Sequence, residues 1–204
     1  MRLTLLFAIL ALLLSACASN VETQVTRFHE GALPGGETFT VEPAASEMNG
    51  PEFRNYASLI REQMQWFGYR PVAEDPDLRV IVDYGVSEGR TRVESYGSYG
   101  HPFYGYHVGT LHPFHHSVVH PYHFGGFYGP EIRSETVYTR RLQLRIIDTD
   151  TDEVVFEGRA LSEGPNGELA EIMPYLVESM FRNFPGESGA TKVVEIETEG
   201  GRRY

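Results

Sequence analysis

The chain has 204 residues, with 28 acidic against 17 basic side chains and a formal net charge of −11. That charge repels nucleic-acid phosphates and anionic lipid headgroups, which argues against both as electrostatic partners. A single cysteine excludes an intrachain disulfide, so the fold rests on an apolar core, for which the length suffices as one domain.

The first elements concern address rather than fold. Arg2 precedes an apolar run from Leu3 to Leu14, which suits a signal-peptide core and falls short of the ~20 residues a membrane-spanning helix needs. The run ends in Leu14-Ser15-Ala16-Cys17, and Cys17 is the only cysteine. Small residues just before a lone cysteine resemble a bacterial lipobox. The resemblance implies a diacylglyceryl group on the thiol, removal of residues 1–16, and a mature chain that begins at acylated Cys17. Removal takes away only one basic residue, Arg2, and moves the net charge to −12. One acyl chain binds membranes marginally, whereas two signals anchor stably. Ala18 stands where an aspartate often marks inner-membrane retention, so the resemblance favours the outer membrane, with the domain facing the periplasm.

Past a tether at 17–20, Val21 to Phe28 reads as a first strand, and Glu37-Thr-Phe-Thr-Val-Glu42 alternates as a second, closed by Pro43. Asn49 stands as N-cap two residues before Pro51. Phe53, Tyr56, Ala57, Ile60, Met64 and Phe67 then recur at helical spacing, with Gly68 as the stop. Leu78, Val80, Val82, Tyr84 and Val86 share one face of a third strand. Residues 136–147 form another, with Leu142, Leu144 and Ile146 opposite Arg141, Gln143 and Arg145. The polar run Asp148–Asp152 turns it into a hairpin partner at 154–160. A second helix spans 168–184 on the stripe Leu169, Ile172, Met173, Leu176, Val177, Met180, Phe181 and Phe184; Pro174 either kinks it or starts it. Residues 193–196 add a short strand, and 198–204 form a polar tail. The order predicts an α+β single domain over 21–197, a mostly antiparallel sheet with two amphipathic helices on one face.

These stretches resemble the DUF4136 family of bacterial lipoproteins. The similarity lies in GETFTVEP at 36–43, YASLIREQMQWFGYRP at 56–71, DLRVIVDYGV at 77–86, VYTRRLQLRIID at 137–148, VVFEGRA at 154–160 and MPYLVESMFRNFPG at 173–186. It departs from the family at the early strand, where an aromatic-rich signature is reduced to Glu37–Val41. The resemblance implies the fold and the envelope location; it carries no catalytic residues.

Residues 95–131 interrupt two patterned strands with a Gly-, Pro- and aromatic-rich insertion that holds seven of the eight histidines. Two readings stand. One is a low-complexity loop whose aromatics, among them Phe103, Tyr104, Tyr106, Phe114 and Phe124, offer a contact surface to envelope proteins. The other is transition-metal binding. His112, His115, His116, His120 and His123 supply five imidazoles within twelve residues, suited to Zn²⁺, Cu²⁺ or Ni²⁺. Against a dedicated site, no cysteine contributes and a Gly-rich loop holds ligands poorly.

Other chemical motifs fail on inspection. Asp148–Asp152 imitates a calcium loop, but the positions that need glycine and glutamate hold Glu153 and Arg159. Position 96 is tyrosine, which breaks a G-x-S-x-G elbow at Ser98. The expectation is therefore a non-enzymatic lipoprotein that needs no cofactor, works in envelope interaction or maintenance, and has metal buffering as the alternative.

Overall fold

The computed structural model describes residues 20–31, 33, 35–96 and 131–198. The larger of two compact units comprises residues up to Arg90 together with those from Thr136 onward, and Thr91–Glu135 forms the other. Eight strands make one sheet: β1 (Asn20–His29), β2 (Thr38–Pro43), β3 (Arg70–Pro71), β4 (Leu78–Val86), β5 (Arg90–Tyr96), β6 (Glu131–Asp148), β7 (Val154–Gly164) and β8 (Thr191–Glu197). Their order is β3-β2-β4-β6-β7-β1-β8, with β5 paired to β6. Helix α1 (Pro51–Trp66) separates β2 from β3, and α2 (Leu169–Phe181) separates β7 from β8. Only β2 runs parallel to its neighbours β3 and β4; the pairs β4–β6, β6–β7, β7–β1 and β1–β8 are antiparallel. The chain is thus α+β with a mostly antiparallel sheet, as its pattern implies.

Burial follows the period of each element. Val21, Val25, Phe39, Val41, Leu78, Val80, Val82, Leu142, Leu144, Ile146, Phe156 and Ala160 all point to one face of the sheet. Both helices cover that face. Phe53, Tyr56, Ala57, Ile60 and Met64 from α1 join Ile172, Met173, Leu176, Val177, Met180 and Phe181 from α2 in a single cluster with the strand residues. Each large side chain buried there contributes ~1.5–3 kcal/mol relative to exposure, which is why two amphipathic stripes suffice to hold the helices down. The opposite face is polar. Arg141 donates to Asp83 (3.1 Å), Gln143 to Glu157 (3.4 Å) and Arg159 to Glu157 (2.7 Å), cross-strand and same-strand pairs exposed enough to contribute little each.

The helices depart from expectation at their ends. Gly50, not Asn49, is the N-cap of α1, because Ser46–Met48 forms a 3₁₀ turn that Asn49 terminates. Pro51 sits in the first turn, where its missing N–H costs nothing, and Gly68 adopts φ +90 just past the end. Helix α2 begins at Leu169 and runs through Pro174, so the proline lies inside it. It stops at Phe181, three residues before the expected end. Phe184, beyond it, still joins the same cluster, 5.2 Å from the Phe181 ring, 5.3 Å from Phe67 and 5.0 Å from Phe156.

Two strands carry no sequence signal. Residues Arg90 to Glu94 of β5 are exposed throughout, so no apolar alternation marks that strand. β3 is two residues long and held to β2 by the Arg70 N–H on the Glu37 carbonyl at 2.9 Å. β5 reaches Tyr96 and β6 begins at Glu131, and the rest of the insertion read at 95–131 lies outside the described residues.

The register fixes which ends of the strands lie together. Gly85 faces Arg141, Arg141 faces Leu161, and Leu161 faces Gln24. Leu78 faces Asp148, and His29 faces Phe156. Asn20, Val86 and Arg140 therefore share one end of the sheet; His29, Leu78 and Asp148 share the other.

Candidate functional site

The residues that the sequence singles out, Cys17 and His112, His115, His116, His120 and His123, lie outside the described residues. Among the described residues, no group of three or more His, Cys, Asp or Glu side chains is placed to hold a metal ion. Asp148 bonds its own turn, its Oδ1 accepting from Asp150 N (3.0 Å), Thr151 N (2.9 Å) and Thr151 Oγ1 (3.1 Å), as a hairpin turn requires.

A cleft of about 470 Å³ lies between the end of α2 and the edge strand β8, lined by Arg27, Arg182, Asn183, Gly186 and Lys192 to Glu195. Its floor begins with Arg27. Val21, Thr23 and Val25 face the core along β1, and the next residue of that parity is an arginine, 6% exposed. The last turn of any α-helix leaves carbonyl oxygens without partners and carries partial negative charge. Arg27 meets both needs. Its Nε donates to Met180 O at 3.1 Å, and one Nη2 donates to Ser179 O at 2.9 Å and Arg182 O at 3.0 Å. Burial pulls this guanidinium below its ordinary pKa, yet an arginine stays charged. The second terminal nitrogen, Nη1, has no acceptor among the described residues.

Glycine at 186 leaves that nitrogen uncovered. A Cβ there would lie 2.5 Å from Arg27 Nη1, and the residue adopts φ +80, which itself disfavours a side chain. The turn around it is clamped. Ser188 Oγ accepts from His29 N and donates to His29 O, both at 3.0 Å, and Gly189 N donates to Arg27 O at 2.8 Å. The His29 ring stacks near Phe156 and places Nδ1 2.8 Å from Gly31 O and Nε2 3.1 Å from Gly186 O. Carbonyls only accept, so a singly protonated ring can satisfy one of these contacts and the doubly protonated ring both.

The remaining charges sit at the rim. Arg182 is half exposed, 3.5 Å from Glu178, and donates to Glu195 O at 3.2 Å. Lys192 pairs with Glu187 at 2.9 Å and holds that carboxyl below its usual range. Val194, opposite Thr23 on the core side, adds apolar wall. Three cations thus gather at the cleft, while Glu195, opposite Glu22 on the polar face of the sheet, contributes its main-chain oxygen.

A second buried arginine lies at the other end of the sheet. Arg140 is fully buried and donates to Asn166 O (3.0 Å), Ser162 Oγ (3.2 Å) and Ser162 O (3.4 Å). It ties β6 to the β7–α2 connection and has a structural role.

The family model for the domain of unknown function DUF4136 matches residues 24–186, most of the chain. The chain belongs to this family. The match takes in both helices and Arg27, Arg182 and Gly186, while Lys192 to Glu195 of this DUF4136 protein lie past its end. No curated protein matches the sequence. Among solved structures, a PDZ domain protein from Parabacteroides distasonis is similar at 12% identity and a TM-score of 0.50, over 93% of this chain. The DUF4136 chain spans 42% of that protein's length. At that identity the likeness speaks for the fold alone. A PelC dodecamer from Paraburkholderia phytofirmans matches at 10% identity and a TM-score of 0.38, over 77% of this chain and 93% of that one.

Proposed function

We propose that this DUF4136 protein is a lipoprotein, anchored through acylated Cys17 to the periplasmic face of the outer membrane, whose domain binds and does not catalyse. The observation that carries the reading is the Leu14-Ser15-Ala16-Cys17 sequence at the end of a short apolar run. The structure is consistent with a short leash, since β1 starts at Asn20, three residues after Cys17. The binding part rests on the cleft, whose lining of charged donors and apolar wall suits recognition. Envelope proteins or envelope polymers are the partners within reach of such an anchor.

Intact mass measurement of the protein from its native envelope tests the anchor. The expected species begins at Cys17 and carries acyl chains, and Cys17→Ser should move the protein from the membrane to the soluble fraction. A species that keeps residues 1–16 or bears a free thiol refutes it. The alternative, buffering of Zn²⁺, Cu²⁺ or Ni²⁺ through His112, His115, His116, His120 and His123, draws on the density of histidine in that segment. Calorimetry on the full-length protein and on a variant lacking 97–130 separates the two readings. Sub-micromolar binding that disappears with the segment is what buffering requires.

A further inference from the structure

We infer that the cleft between α2 and β8 is a binding site for a ligand that presents a carboxylate group, held by Arg27, Arg182 and Lys192. This inference deepens the binding role proposed above and does not depend on the anchor at Cys17.

Four observations converge on it. First, Arg27, which lines the cleft, is a nearly buried cation whose Nε and Nη2 are committed to three carbonyl oxygens while Nη1 has no acceptor among the described residues. Two of its nitrogens are locked, so the third is held in a fixed direction before any ligand arrives, and little side-chain entropy remains to be lost on binding. Second, the position that would screen Nη1 is a glycine, and a single added carbon would collide with that nitrogen. Third, Arg182 and Lys192 stand at the rim with about half of each side chain exposed, paired to Glu178 and Glu187. Exposed pairs of this kind are weak, so either cation can turn from its carboxylate to a ligand's at small cost. Fourth, the volume of about 470 Å³ falls in the range of small-molecule sites, and Val194 offers the apolar wall such sites use.

The charge balance selects the class of anion. Glu178 and Glu187 border the cleft through their pairs with Arg182 and Lys192. A dianionic phosphate meets that repulsion twice over, whereas a carboxylate carries one charge and matches the planar fork of a guanidinium. The apolar wall further favours a carboxylate attached to a small aliphatic group, such as the free end of a short peptide.

The test uses the full-length protein and proton–nitrogen correlation spectra, titrated with N-acetyl-alanyl-alanine, with its C-terminal amide, and with inorganic phosphate. The free acid should produce saturable shifts at the amides of Gly186, Lys192 and Val194, and the amide derivative should produce none there. The double variant Arg182→Gln, Lys192→Gln changes only exposed side chains; it should keep the melting temperature and weaken the acid by about fivefold or more, the loss expected from two charge-assisted contacts. Arg27→Lys, which keeps the charge and removes Nη1, should weaken it similarly. Equal shifts from acid and amide, no saturation, or undiminished affinity in the double variant would each overturn the site. Tighter binding of phosphate than of the acid would overturn the assignment to carboxylate.

Discussion

Replacing Arg27 by methionine isolates how much of the fold one buried cation holds. The substitution keeps most of the aliphatic stem and removes the donors that satisfy Ser179 O, Met180 O and Arg182 O. Each buried acceptor left without a partner costs roughly 1–3 kcal/mol, which sets a gross loss of about 3–9 kcal/mol. Two effects reduce it. The desolvation that lowers the Arg27 pKa is relieved when the charge goes, and water from the cleft reaches part of the exposed helix end. The favourable interaction of a cation with the negative end of α2, up to ~2 kcal/mol, is lost as well. The net expectation is a destabilisation of about 3–5 kcal/mol, near that for breaking a buried ion pair. Urea unfolding followed by far-ultraviolet circular dichroism reads it directly, and at ~2–4 °C per kcal/mol the melting temperature should fall by about 6–20 °C. Arg27→Lys should recover only part, because an ammonium cannot reach three carbonyls in a planar fork. An Arg27→Met protein within about 0.5 kcal/mol of wild type would refute the claim that this side chain caps the helix.

Three further outcomes follow from the packing and the charges. Gly158→Ala places a carbon 2.5 Å from Met180 Sδ and 2.9 Å from the Phe156 ring, so it should cost about 1–3 kcal/mol by denaturant unfolding; an unchanged midpoint would contradict the close approach of α2 to β7. Glu37 is raised above its usual carboxylate value by burial and then by Asp77 and Asp148, so it penalises folding only where it ionises. That penalty is absent below the ordinary carboxylate pKa and complete above the raised one; Glu37→Gln should therefore raise the melting temperature near pH 7 and leave it unchanged near about pH 3. Trp66 is the only tryptophan and is 85% exposed at the end of α1, so emission should resemble that of tryptophan in water and shift little on unfolding. A strongly blue-shifted spectrum would place it elsewhere.

Most of the fold was legible because burial imposes a period. The parity of Leu78, Val80 and Val82, of Leu142, Leu144 and Ile146, and the two helical stripes each report a one-sided environment, and all of these residues are buried in the structure except Phe67 and Phe184, which are partly buried at the helix ends. Elements without a buried side stay invisible. β5 has no apolar face among Arg90 to Glu94, and the two residues of β3 are too few to show a period. Helix ends were read less well, since Asn49 and Phe184 were assigned by local preference while the 3₁₀ turn and the tertiary aromatic cluster decided otherwise. The cleft was missed although its signal was present. Arg27 continues the parity of Val21, Thr23 and Val25, and Arg140 leads that of Leu142 and Leu144. A charged residue in register with a core stripe marks a buried cation whose partners must be main-chain oxygens or other groups brought near by folding. Which oxygens they are depends on where α2 ends, and no local pattern encodes that.

The strand register gives the domain a top and a bottom once its start is fastened. Three residues of chain reach at most about 10 Å, so the anchor proposed at Cys17 would hold Asn20 close against the lipid. The seven residues from Asn20 to Arg27 carry the strand about 23 Å in the other direction. In a protein so anchored, the buried guanidinium would look away from the bilayer into the aqueous space.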